Sequence, residues 1–87
     1  MLAELSLLQF HPLEGGAVLW TEGPAAVERA GDRAWKARAL GLARPMRAAL
    51  GGAGSEGSQA EGRPLSRGRD GWARFELAPG KTVPLRL

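Results

Sequence analysis

Apolar residues in this chain fall in short runs bounded by glycine and proline. Ala3–Phe10 is one apolar-rich run and Ala17–Thr21 is another. Between them, His11-Pro12-Leu13-Glu14-Gly15-Gly16 carries a proline and paired glycines, which stop the first run and allow a reversal. Residues 3–21 are therefore predicted to form a β-hairpin. At the other end, Trp72–Leu77 alternates, with Ala73, Phe75 and Leu77 on one face. Pro79-Gly80 suits the centre of a type II turn, and Thr82–Leu87 alternates again with Val83, Leu85 and Leu87 inward. A second hairpin is predicted there. Pro84 lacks a ladder donor, which places its strand at a sheet edge.

The middle of the chain supports two readings. Pro24-Ala25-Ala26-Val27-Glu28-Arg29-Ala30-Gly31 has the proline and glycine placement of a short helix. The same residues also read as a strand, with Gly31-Asp32 a turn and Arg33–Leu40 a return strand alternating small or aromatic with basic residues. Alanine and arginine content favours the helix by a few tenths of a kcal/mol per residue. Pro45 breaks what precedes it, and Met46–Leu50 gives at most a turn or two of helix. Residues 51–62 hold no large apolar side chain, a linker composition that predicts a mobile loop. The expected fold is a small α+β domain with a hairpin near each end, a helical or mixed middle and a Gly-rich mobile loop. Residues 1–50 and 63–87 would pack as one unit across the 51–62 loop. The alternative is an all-β sandwich of short strands, which the low β-branched content disfavours: three Val, two Thr and no Ile.

Length narrows the function classes. Eighty-seven residues suffice for one modest core but not for a two-domain enzyme carrying its own dinucleotide-binding fold. No run of 18 apolar residues occurs, and no basic residues precede an apolar run at the N-terminus, so neither a membrane span nor a secretory leader is expected. Cysteine is absent, which removes disulfides and thiolate metal sites. A cytoplasmic location is the expectation. Ile, Asn, Tyr and Cys are all missing and Arg supplies ten of twelve basic residues, a bias that points to a GC-rich or thermophilic source.

The candidate chemistry is sparse. His11 is the only histidine, and scattered Asp and Glu show no metal-ligand spacing. Gly52-Ala53-Gly54-Ser55-Glu56-Gly57 matches G-x-G-x-x-G, but Pro45 before it and Gly62 and Pro64 after it break the strand–turn–helix context that a phosphate site needs. Arg63, Arg67 and Arg69 beside Trp72 form a basic cluster able to grip phosphates while a base stacks on the indole. Trp35 with Arg33, Lys36 and Arg38 invites the same reading. In both places a solvated basic face with the tryptophan in the core is the plainer expectation. No nucleophile is placed beside His11 to build a Ser-His-Asp arrangement.

The order of small motifs carries a further signal. Gln9-Phe10-His11-Pro12, then a glycine pair, then Leu19-Trp20-Thr21-Glu22-Gly23, resembles a stretch of one flavoprotein family. That family comprises the flavoprotein subunits of succinate dehydrogenase and fumarate reductase, with L-aspartate oxidase. Val27–Trp35 is similar to the hairpin that follows in the family, and Leu42–Leu50 to a degraded form of the next element. The resemblance spans about residues 3–50; Leu13-Glu14 and Pro45 depart from the family pattern, and its R-G-E-G segment is missing. It implies that His11 and Thr21 bind a substrate carboxylate with Glu22 beside them, and that Arg44 relays a proton. Charged and hydroxyl donors converging on a dicarboxylate make chemical sense. It also implies a capping segment that closes over a flavin, with FAD held only by a partner chain.

Three functions follow as expectations. The first is a cut-down dicarboxylate-binding capping segment, not catalytic alone. The second is a small protein–protein interaction module pairing through an edge strand or its basic middle. The third is a nucleic-acid binder using Arg63, Arg67, Arg69 and Trp72.

Overall fold

A computed structural model describes residues 9–40 and 44–87, so the Ala3–Leu8 part of the first predicted strand lies outside the described residues. The chain forms β1 (Gln9–Pro12), β2 (Ala17–Thr21), β3 (Ala25–Gly31), β4 (Ala34–Ala39) and β5 (Met46–Gly52). A 3-10 turn over Ala53–Ser55 follows, then β6 (Gln59–Ala60), β7 (Arg63–Pro64), β8 (Ala73–Leu77) and β9 (Thr82–Arg86). The strands make two antiparallel sheets, ordered β1-β2-β5-β8 and β3-β4-β9-β6-β7. One core lies between them. The first sheet contributes Ala17, Leu19, Met46, Ala48, Leu50 and Leu77; the second contributes Ala37, Ala39, Ala60, Val83 and Leu85. No helix among the described residues is long and apolar enough to cross a membrane.

The α+β expectation is overturned, because the described residues of the helical or mixed middle form strands and turns and no helix. Residues 25–39 form the β3–β4 hairpin, with Ala37 and Ala39 buried and Lys36 and Arg38 exposed. That alternation fits a pleated surface with one face covered, and burial outweighs the small helical preference of alanine. Met46–Leu50 is likewise strand, the centre of the first sheet between β2 and β8.

The segment 51–62, expected as a mobile loop, holds the end of β5, the 3-10 turn and β6. Gly51 and Gly52 complete β5, and Ser55 and Ser58 are buried. The Ser55 hydroxyl donates to the Gly52 carbonyl at 2.8 Å, and Arg67 Nη2 donates to both Gly52 O and Ser55 Oγ at 2.8 Å. Composition missed this because the glycines serve close packing here. Gly52 sits at φ +91°, and a Cβ on it would collide with the Gly16 carbonyl oxygen. A Cβ on Gly54 would stand 2.5 Å from the Gly15 carbonyl oxygen.

The C-terminal strands are where the alternation places them, but they do not pair as a hairpin. Lys81 N–H donates to Ala78 C=O at 3.2 Å and Gly80 has φ +69°, as a Pro-Gly turn requires. The turn nevertheless carries the chain from one sheet to the other: β8 pairs with β5, and β9 with β4 and β6. Strand β9 is therefore interior rather than at an edge. Pro84 is tolerated because its carbonyl accepts from Glu61 N–H at 2.9 Å. A strand residue points its N and O to the same side, so the missing donor faces the place where two-residue β6 ends.

Glu14, in the β1–β2 turn, ties the sheets together. Its carboxylate accepts from Arg33 N–H and Trp35 Nε1–H, each at 3.0 Å, and pairs with Arg29 at 3.3 Å. Replacing Glu14 by Ala leaves the half-buried Trp35 donor unpaired and should lower unfolding free energy by about 1–2 kcal/mol in urea titrations. Gly52→Ala should cost at least ~2 kcal/mol, combining a left-handed φ with a backbone collision. Gly57→Ala, at φ +72° with open space around it, should cost only about 1 kcal/mol in the same measurement.

Candidate functional site

His11 and Thr21 do come together, on the inner face of the first sheet. The Thr21 hydroxyl donates to Gly23 C=O at 2.9 Å, so its oxygen accepts from His11 Nε2–H at 3.0 Å. Thr21 is fully buried, with its donor and an acceptor site both used. Burial lowers the His11 pKa from its ordinary value, which keeps the imidazole neutral. The pair holds β1 and β2 to each other.

Glu22 turns elsewhere. Its carboxylate accepts from Arg47 N–H at 3.1 Å and from Arg47 Nε and Nη2 at 3.0 and 2.9 Å. Those backbone and side-chain bonds hold its pKa below the usual carboxylate value, with a smaller contribution from the charge of Arg44. Arg44 is exposed. The four residues of the dicarboxylate reading thus divide between a buried hydrogen-bonded pair and a surface ion pair with a second arginine nearby.

The basic cluster also divides. Arg63 lies on β7 in the second sheet, Arg67 is anchored on Gly52 and Ser55, and Arg69 is exposed. Trp72 is not in the core. It stands half-buried just before β8, and its ring covers Gly51 so closely that a Cβ there would lie 2.7 Å away. The residues before it fix that placement. Gly71 takes φ +86°, Gly68 N–H donates to Trp72 C=O at 2.9 Å, and Asp70 Oδ1 accepts from Trp72 N–H at 3.1 Å. Arg74 Nη2 then closes on Asp70 Oδ2 at 2.5 Å. The Arg74 guanidinium is the main cause that depresses the Asp70 pKa, followed by the Trp72 N–H, and Asp70 in turn raises Arg74. Trp35 is half-buried against the core with its N–H on Glu14, apart from this group.

Register assembles the outer face of the first sheet. Phe10 pairs with Trp20, Trp20 with Ala49, and Ala49 with Arg74, one cross-strand row over four strands. Because inward positions alternate with outward ones, all four project away from the core. Phe10, at 61% exposure, is the most exposed large apolar side chain described. With Trp72 and Asp70 the row encloses an open concavity of about 320 Å³, at the small end of ligand-site sizes. Ala49 makes its floor. The sequence signal for it lay in β2, where Val18 and Trp20 occupy the phase opposite to buried Ala17, Leu19 and Thr21.

Among the described residues, no three His, Asp or Glu side chains gather to hold a metal ion. Comparison of the chain with protein-family models, curated proteins and solved structures gives no match.

The His11 shift has a sign. A depressed folded-state pKa means that the unfolded chain binds the proton first, so the stabilisation is complete above about pH 6.5 and is lost as pH falls through the lower folded value. Urea midpoints should therefore fall between neutral pH and about pH 5. His11→Gln should flatten that decline, while the Glu22 and Asp70 contributions disappear only on further acidification, below about pH 4.

Proposed function

We propose that this chain is a protein-interaction module, without catalytic activity of its own, that receives a segment of another protein on the outer face of the first sheet. The carrying observation is the row Phe10–Trp20–Ala49–Arg74 with Trp72 laid over Gly51. Aromatic side chains left half-exposed around a small-residue floor are the composition of an interface centre. Charge favours a protein segment over nucleic acid. Arg74 and Arg47, the basic groups beside the aromatics, are each matched by a carboxylate, Asp70 and Glu22. Phosphate binding draws its strength from unmatched cations that displace counterions. The dicarboxylate reading finds less support, because the His11 and Thr21 donors are spent on each other and on Gly23.

Panning a random-peptide phage library on the immobilised chain tests the proposal. Enriched peptides should bind the wild-type chain and lose about tenfold or more in affinity against Trp72→Ala, with a smaller loss against Phe10→Ala. Enriched peptides indifferent to both substitutions would place binding elsewhere. A single-stranded oligonucleotide bound with steep salt dependence and sensitive to Trp72→Ala would favour the nucleic-acid function instead.

A further inference from the structure

Resting on that reading of the face, we infer that its occupant is a proline-rich segment in the polyproline II conformation. Strand addition does not suit the site. The concavity lies on the face of the sheet, where side chains project, whereas a ladder could be joined only at the outer edges of β1 and β8. A helix does not suit it either, since its carbonyls are bonded within the helix and leave no free acceptor for a donor on the face. A polyproline II segment differs on both counts. It is narrow, carries its rings outward, and leaves every carbonyl without an internal donor.

The site offers what such a segment lacks. Among the described residues, the Nε1–H groups of Trp20 and Trp72 have no hydrogen-bond partner, whereas that of Trp35 is taken by Glu14. Two residues with free indole donors thus line the concavity together with Phe10 and Ala49. Proline rings would pack against Phe10, Trp20 and Trp72 while ligand carbonyls accept from the two indoles. The matched charges of Asp70–Arg74 and Glu22–Arg47 suit an uncharged ligand.

The test uses a short blocked peptide of Ala-Pro-Pro repeats, with an Ala-Gly-Gly peptide of equal length as control, followed by amide and indole NMR spectra of the labelled chain. Saturable shifts are expected at the Trp20 and Trp72 indole N–H and at the Ala49 and Gly51 amides, with the Trp35 indole unmoved. Trp72→Ala should weaken binding about tenfold, and Phe10→Ala, a substitution at a side chain exposed enough to leave the fold intact, by about threefold or more. Equal shifts from the Ala-Gly-Gly control, or panned peptides that occupy this face without containing proline, would overturn the polyproline assignment and leave the docking face standing. A face silent to proline-rich and panned peptides alike would remove both.

Discussion

The backbone of residues 52–54 lies against the backbone of the 14–16 turn with no space for a side chain on Gly52 or Gly54. Much of the architecture depends on that contact. It ends β5 and starts the 3-10 turn, and it directs the chain out of the first sheet toward β6 in the second. It also brings Ser55 inward, where its hydroxyl closes on Gly52, and gives Arg67 two acceptors to hold. A segment with linker composition takes regular structure here because neighbouring backbone, not its own side chains, supplies the packing surface.

Charge pairing adds a second layer of order. The stretch through Gly23 carries no basic residue, and two of its glutamates meet arginines from later in the chain. Glu14 reaches Arg29, the Arg33 amide and the Trp35 indole across the two sheets. Glu22 grips Arg47 by backbone and side chain at the end of the β2–β5 ladder. Exposed ion pairs contribute little on their own, but the hydrogen bond to a half-buried indole is costly to leave unmade. These carboxylates therefore do structural work at the margins of the sheets. His11 and Thr21 do comparable work inside the first sheet.

The outer face of the first sheet stands apart from this pattern. Its aromatic side chains lie over small residues of the central strand and leave an open concavity between them, and the basic groups beside them are neutralised. A β-sandwich of this size gains most of its stability from the face between the sheets, so three aromatics on the opposite face are not required by the fold. That surplus is the physical basis for reading the face as a docking surface.

Several features were determined by sequence alone. The glycine-proline turn before β2, the Pro-Gly turn at 79–80 and the inward phase of Val83, Leu85 and Leu87 all follow from local conformational preference and period-two alternation. Tertiary structure decided what local rules do not encode. Residues 25–39 and 46–52 became strands because neighbouring strands were there to pair with and a core to face, against the helical leaning of their alanines. The last two strands joined different sheets because a turn fixes chain direction but not hydrogen-bonding partners. The aromatic row exists only through the register of β1, β2, β5 and β8, which gathers Phe10, Trp20, Ala49 and Arg74 from distant parts of the chain. Long-range register is set by which faces can be buried together, and a single strand's pattern holds only its own half of that condition.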